Sequence, residues 1–241
     1  MLSIIIPTLN EEKYLPRLLK CLREQTFSDF EIIVSDAFST DKTRKIAKDF
    51  GCKITDGGNP AKSRNAGAKI ARGNLLLFLD ADIYIKRDFL EKTIKEFKKR
   101  KLDAASFILV PYSENIFGKT LARIFFDIFY NLINVLIFEI IYPHGAMGIL
   151  IKKELHQKIN GFDEKTTIAE DHDYVLSASR FGKFRIIRSV RIFFSLRRYK
   201  EDGWLQTIIK YLICELHRIF IGPVKSKALG YKEKSRHKPK H

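Results

Sequence analysis

Asn74-Leu-Leu-Leu-Phe-Leu-Asp-Ala-Asp-Ile83 is the stretch around which this chain is organised. An uninterrupted apolar run, Leu75 to Leu79, lies between Gly73 and a pair of acids. A run this short and continuous fits a strand covered on both faces, as in the parallel sheet of an α/β protein. Asp80 and Asp82 fall where that strand ends, and in open α/β sheets ligands bind at the carboxyl ends of the strands. In extended chain residues i and i+2 point the same way, so both carboxylates address one object. Two like charges at that spacing need a cation between them, or one must take up a proton. Hard carboxylate oxygens suit Mg²⁺ or Mn²⁺, ions that often also hold substrate phosphates. Taken alone, Asp-x-Asp reads first as a solvated loop after a strand, so the flanking chain has to decide.

Upstream, Ser3 to Ile6 forms a first buried strand, followed by Pro7-Thr8-Leu9-Asn10-Glu11. Asn10 is placed to cap a helix over Glu11–Arg23, whose Leu15, Leu18, Leu19 and Leu22 follow the helical period. Glu31 to Ser35 is a second strand with Asp36 at its end, and Ser39 or Thr40 is placed to cap a helix from Lys42 to Phe50. A short strand near Lys53–Thr55, the break Gly57-Gly58-Asn59-Pro60 and a helix rich in small residues lead into the opening stretch. This alternation predicts a parallel sheet with helices on its faces. Neither a G-x-G-x-x-G turn nor a G-x-x-x-x-G-K-[ST] loop is present, so a bound nucleotide must be held differently.

Downstream, a helix over about Arg87–Lys99 and a strand over Asp103–Val110 are expected, then a return to the sheet at Ile149 and Leu150. After the Gly161-Phe-Asp163 turn, Ala169-Glu-Asp-His-Asp-Tyr174 enters a helix running to about Arg180. Acids in a first turn also suit the helix dipole, which is the plain reading of Glu170 and Asp171. Phe184–Ile187 and Arg191–Phe194 read as two further extended segments.

Two segments differ in character. Residues 118–142 are almost wholly apolar and aromatic, but Arg123, Asp127, Asn131 and Asn134 make one polar stripe on a helix. Charges at the centre of a membrane span are rare, which favours an interfacial or partner-facing helix over a span. Trp204–Phe220 has one broad apolar face and precedes a lysine-rich tail. An apolar face beside basic residues is the pattern of a helix lying on anionic lipid. The bland alternative is that the two helices pack on each other or in a homodimer.

Residues 1–200 therefore read as one catalytic domain with residues 118–142 inserted, and residues 201–241 as an amphipathic helix and basic tail. The chain has 241 residues, 45% of them hydrophobic, enough for one sizeable α/β core. Its net charge of +16 favours anionic partners, whether nucleotide phosphates, acidic lipid or nucleic acid. Cys21, Cys52 and Cys214 are far apart and form no C-x-x-C pair, as expected of reduced thiols in an intracellular protein. No signal peptide is expected, since Met1 runs straight into the first strand.

Six short motifs now stand in order: Ser3-Ile-Ile-Ile-Pro-Thr-Leu-Asn-Glu11, Ile33-Val-Ser-Asp-Ala-Phe-Ser-Thr-Asp41, Ala61-Lys-Ser-Arg-Asn-Ala-Gly67, Leu79-Asp-Ala-Asp82, Gly161-Phe-Asp163 and Ala169-Glu-Asp171. Together, over about residues 2–190, they resemble the family 2 glycosyltransferases with the A-type nucleotide-sugar fold. The resemblance implies a Rossmann-like, mostly parallel sheet with helices on both faces. It implies inverting transfer of a sugar from a nucleoside-diphosphate sugar, assisted by Mg²⁺ or Mn²⁺. Matched position by position, Pro7, Thr8 and Glu11 stand where the family holds the nucleoside, and Asp36 stands at the acid that reads the base. Arg64 stands near the base or diphosphate. Asp80, Ala81 and Asp82 form the metal and donor-sugar motif, with Asp82 the direct ligand and Asp80 beside it. Asp171 stands at the catalytic base. The second motif departs from the family, with Ser35 in place of its first acid and Ala37-Phe38 before Ser39. His144 and His172 are further candidate ligands, each also readable as an ordinary hydrogen-bonded histidine.

The expected partners are a nucleotide-sugar donor, a lipid-linked or polysaccharide acceptor and an anionic membrane surface. The expected location is peripheral, on the inner face of the cell membrane. Two rivals carry different chemistry. An aspartyl-phosphate phosphatase also uses an acid pair after an apolar strand, but there the pair opens the domain and a hydroxyl residue follows it, where this chain has Ile83-Tyr84. A non-enzymatic membrane- or nucleic-acid-binding module explains the basic charge but not the acids at strand ends.

Overall fold

The computed structural model describes residues 1–112, 131, 139, 143, 145–166, 169–196, 206, 213, 217 and 222. The opening stretch is the strand expected, β4 (Leu75–Leu79), and it lies centrally in an eight-stranded sheet. Around it in chain order come β1 (Leu2–Thr8), α1 (Leu15–Arg23), β2 (Phe30–Asp36), α2 (Thr43–Asp49), β3 (Lys53–Asp56) and α3 (Pro60–Ile70). After it come β5 (Ile83–Tyr84), α4 (Phe89–Lys99), β6 (Ala104–Tyr112), β7 (Gly148–Lys152), α5 (Lys153–Lys158), α6 (Glu170–Phe181) and β8 (Phe184–Ser195).

The strand order is β3-β2-β1-β4-β7-β6-β8-β5. Four pairings are parallel: β1 with β2, β1 with β4, β2 with β3 and β6 with β8. β7 runs antiparallel to both β4 and β6, and β5 antiparallel to β8, so the sheet is mixed. The order reverses between β1 and β4. Strands β1 to β3 step outward on one side, then β4 returns to β1's other edge. Such a switch point opens a crevice at the carboxyl ends of the flanking strands.

Alternation along β1 shows both faces covered. Ile4 and Ile6 pack with Leu15, Leu18, Leu19 and Leu22 of α1 and Phe89 and Leu90 of α4. Ile5 packs on the opposite face with Ala61 and Ala68 of α3, Leu155 of α5 and Val175 of α6. The small residues of α3 permit a close approach. A Cβ on Gly67 would stand 2.4 Å from Ile5 Cγ2 and 2.6 Å from Ser35 Oγ. α3 therefore lies directly on β1 and β2, which sets where its Arg64 emerges.

Several local expectations are corrected. Asn10 does not cap α1: its φ is +53° and the cap position is Tyr14. Its carboxamide instead accepts from the Thr40 N–H at 2.8 Å, joining two loops at the sheet edge. Neither Ser39 nor Thr40 caps α2, whose cap position is Lys42. Asp41 accepts from Thr43 N–H at 2.9 Å there, while Ser39 turns to Asp36. The two extended segments after Gly182 are one strand, β8, with a register irregularity opposite Phe107 and Ile108.

Most of the apolar segment 118–142 and of Trp204–Phe220, together with the lysine-rich tail, lies outside the described residues. Two residues of the first segment are described, and both are buried. Asn131 pairs with the backbone of Leu109, accepting from its N–H at 3.1 Å and donating to its carbonyl at 2.8 Å. Glu139 is gripped by Arg100 at 3.2 Å and Arg188 at 2.6 Å. Asn131, placed on the polar stripe in sequence, thus faces β6 of the α/β unit. Among the described residues no helix is long and apolar enough to cross a membrane.

Candidate active site

The acid pair sits where the sequence places it. β4 ends at Leu79, and Asp80 and Asp82 follow at the crevice beside the switch point, both half-buried. Ala81 between them is turned into the core, 4% exposed. The strand's own direction is held by Asp80 N–H donating to the Met147 carbonyl at 3.2 Å and Ser195 N–H to the Asp82 carbonyl at 3.3 Å.

Arg64 is the centre of the site. It rises from α3 and is 6% exposed. One guanidinium nitrogen donates to Asp80 Oδ1 at 3.0 Å and the other to Glu170 Oε1 at 2.5 Å. Burial alone would make this cation easier to deprotonate. Glu170, Asp80 and Asp171 outweigh that and hold it firmly charged. Three sequence motifs, far apart in the chain, meet at this one side chain. Glu170 had only helix-start chemistry to recommend it in sequence; its partner 106 residues away could be found only in three dimensions.

Asp171 stands beside this group on the first turn of α6. Its pKa is pushed up from 3.8 to about 6, first by burial, then by the charges of Glu170 and Asp80, against the favourable pull of His172 and Arg64. Its Oδ1 accepts from the His172 backbone N–H at 3.0 Å. The turn is entered through Ala169, a left-handed residue with φ +56°. Behind it an apolar wall fixes the helix. Tyr174 stacks on Phe162 with centroids 3.7 Å apart and shares a hydrogen bond of 2.7 Å with His156 Nδ1. Burial drives the His156 pKa down to about 4, so this ring stays neutral and structural. Asn65 locks the Gly161-Phe162 turn to α3, accepting from Phe162 N–H and donating to its carbonyl, each at 2.9 Å. Asn65 was legible only as part of the Ala61–Gly67 motif.

A second cluster lies at the ends of β1 and β2, where Pro7 pairs with Ser35 and Thr8 with Asp36 in register. Asp36 is wholly buried. Its Oδ1 accepts from Thr8 Oγ1 at 3.0 Å and Ser39 Oγ at 2.5 Å. Its Oδ2 accepts from Ser39 N–H at 2.9 Å and Arg44 at 3.3 Å. In this conformation the carboxylate faces inward and serves as the post on which the β2–α2 loop is built. Glu11 is 5% exposed and its N–H donates to Thr43 Oγ1 at 2.8 Å, tying the β1–α1 loop to α2.

The structure thus brings Arg64, Asp80, Glu170 and Asp171 into one charged group, with Asp82 two residues beyond Asp80. Pro7, Thr8, Glu11 and Asp36 lie together at and just beyond the ends of β1 and β2. Hard oxygens at Asp80 and Asp82 are the donor type for Mg²⁺ or Mn²⁺, which take one or two carboxylates and complete their shell with substrate phosphates and water. Among the described residues no group of three His, Cys, Asp or Glu forms a cage for a metal ion. His144 lies outside the described residues, and His172 follows Asp171 directly.

Comparison with known proteins agrees with this architecture. Over 116 residues the chain is 38% identical to the poly(ribitol-phosphate) beta-N-acetylglucosaminyltransferase TarS of Staphylococcus aureus, covering 44% of this chain and 18% of that protein. It is 30% identical over 182 residues to an uncharacterized glycosyltransferase of Haemophilus influenzae, covering 73% and 61%. It therefore spans less than two thirds of the length of either. Residues 1–349 of S. aureus TarS in complex with UDP superpose with a TM-score of 0.65 at 24% identity, covering 80% of this chain and 60% of that one. The mannosyltransferase PcManGT of Pyrobaculum calidifontis, in complex with GDP-Man and Mn²⁺, gives 0.66 at 20% identity, covering 88% and 64%. At those identities the structural likeness speaks for the fold. Residues 3–159 match the sequence profile of Glycosyl transferase family 2, and with two thirds of its length so matched the chain belongs to that family.

Proposed function

We propose that this protein is an inverting glycosyltransferase that moves a sugar from a nucleoside-diphosphate sugar to an acceptor hydroxyl or phosphate. The observation that carries the reading is the junction at Arg64, which joins Asp80 at the end of β4 to Glu170 beside Asp171. A leaving diphosphate and an acceptor nucleophile must be handled within one small space, and this junction puts a buried cation and a proton-accepting carboxyl side by side.

Asp82, with Asp80 next to it, would hold a divalent cation, which when bound offsets the negative charge growing on the leaving diphosphate. Arg64 adds a fixed positive charge from a water-poor position, where such groups act most strongly. Glu170 and Asp80 keep that guanidinium aimed and charged. Asp171 takes the acceptor's proton as it attacks the anomeric carbon. A carboxyl with a pKa near 6 is mostly ionised at neutral pH yet a far better proton acceptor than an ordinary aspartate. A single displacement on the face opposite the diphosphate inverts the anomeric centre. Thr8, Asp36 and Glu11 shape the ends of β1 and β2 that receive the nucleoside. Residues 1–200 act as the catalytic unit in this reading.

The acceptor is proposed to be lipid-linked, with a polysaccharide as the alternative, and the protein to work peripherally on the inner face of the cell membrane. The apolar composition of residues 118–142 and the Trp204–Phe220 helix with its basic tail support this. The test of the enzymatic reading is turnover of UDP-, GDP- and dTDP-sugars, with and without Mg²⁺ or Mn²⁺. Release of nucleoside diphosphate from one donor is expected. Tight binding to vesicles or nucleic acid with no turnover of any donor would instead favour a non-catalytic binding module.

A further inference from the structure

The loop Asp36-Ala37-Phe38-Ser39 after β2 is fastened on either side of Phe38. Ala37 N–H donates to the Thr8 carbonyl at 2.8 Å. Ser39 bonds to Asp36 through both its N–H and its hydroxyl, and its oxygen accepts from Asn10 N–H at 2.8 Å. Phe38 is the residue this scaffold lifts outward. Its φ is +59° and it is 67% exposed. A bulky side chain in left-handed backbone is an outlier, and a solvated benzyl group carries a second cost. Glycine would remove both. Strain of this kind persists where the surroundings over-determine it, and it clusters at ligand-binding sites.

The position gives the strain a use. Phe38 stands at the carboxyl end of β2, beside Thr8 of β1 and two strands from Asp80 at the end of β4. Neighbouring strands are about 4.8 Å apart, so about 10 Å separates the Phe38 loop from the acid pair. With the nucleoside received at the ends of β1 and β2, as in the reading above, a nucleoside diphosphate whose phosphates lie at Asp82 and Arg64 has its base on this side. Asp36 has both oxygens engaged internally, so a planar ring beside it offers a face where the carboxylate offers no edge.

We propose that the Phe38 ring is the platform on which the base of the donor nucleotide stacks, held out by the Asp36–Ser39–Asn10 scaffold. The inference rests on the nucleotide-sugar reading of the site. Base–aromatic stacking tolerates any base, so Phe38 supplies affinity while other groups choose among bases.

The test uses the full chain and four ligands: UDP, GDP, dTDP and inorganic pyrophosphate. Phe38→Gly relieves the backbone, so its melting temperature should not fall. Its Kd for the nucleoside diphosphate that wild type binds should rise by roughly five-fold or more, with pyrophosphate affinity little changed. Phe38→Trp should keep the affinity. Its fluorescence, after subtraction of the wild-type signal from Trp204, should be quenched by the nucleotide and not by pyrophosphate. If wild type binds none of the three nucleotides, the donor reading and this inference fall together. If wild type binds and Phe38→Gly binds equally well, the donor reading stands and the platform is refuted. A parallel loss of nucleotide and pyrophosphate in Phe38→Gly would also refute it, since that reports a damaged loop.

Discussion

Replacing Asp171 by Asn separates the proposed catalytic role from stability, because the carboxylate proposed as the base is also a charge that burial penalises. The folded protein raises its pKa from 3.8 to about 6, chiefly by burial. The folded state therefore binds the proton more tightly than the unfolded chain does. The contribution of this carboxyl to stability is full below about pH 4 and is lost as the pH rises through about 6. The rise is about 2 pH units, which at 1.36 kcal/mol each is about 3 kcal/mol. Asp171 keeps some solvent contact, so about 1–3 kcal/mol of destabilisation at pH 8 is expected. Asp171→Asn removes the charge and keeps the shape. Its melting temperature should exceed that of wild type by roughly 2–12 °C at pH 8, at 2–4 °C per kcal/mol for a domain of this size. The two should converge near pH 4. Meanwhile kcat should fall by roughly 10²–10⁴-fold, and the rise of activity through about pH 6 should disappear. Calorimetry at pH 4 and pH 8, beside single-donor kinetics, reads both. A kcat within a few-fold of wild type puts the base at Glu170 or Asp173. A stability difference equal at both pH values would refute the assignment of the destabilising charge to Asp171.

Asp82→Ala should abolish metal-dependent transfer while the melting temperature stays close to wild type, as expected for a half-buried loop carboxylate; full activity, or full wild-type activity in excess chelator, would sink the ligand assignment. Arg64→Met leaves Glu170 and Asp80 without their buried partner and should cost about 3–5 kcal/mol in urea unfolding, with donor binding lost as well. Gly67→Ala drives a methyl into Ile5 and Ser35 and should cost about 1–3 kcal/mol, shifting α3 and weakening donor binding through Arg64; an unchanged urea midpoint would show that α3 has room to move. Full-length protein should float with anionic vesicles at low salt, and a version truncated after Gly222 should float less; failure of the full chain to float would reject the membrane reading and direct attention to a dimer, measured by sedimentation.

Much of the site was legible because its determinants are local. A buried strand betrays itself by an apolar run, and β1, β2 and β4 were read from runs such as Ile4–Ile6 and Leu75–Leu79. In a parallel set of strands the acid at the end of such a run falls at the edge where ligands bind. Asp36, Asp80 and Asp82 accordingly stand at strand ends in the fold. The acids of Ala169–Tyr174 read as a helix start, and the structure has Asp171 in the first turn of α6.

What depended on the tertiary structure was everything set by partners distant in the chain. An apolar run does not record the direction of its neighbour, so the antiparallel entry of β7 between β4 and β6 was invisible. Asn10 looked like a helix cap because caps are chosen by short-range chemistry. In the fold a competing loop, 30 residues on, took its carboxamide. Glu170 looked like dipole chemistry until Arg64 arrived from α3. A pKa is a property of surroundings, so the proton affinity of Asp171 exists only once burial, Glu170, Arg64 and Asp80 have come together around it. Sequence determined which residues stand at the working edge of the sheet; the packing of α3 and α6 across that edge decided which of them act on one another.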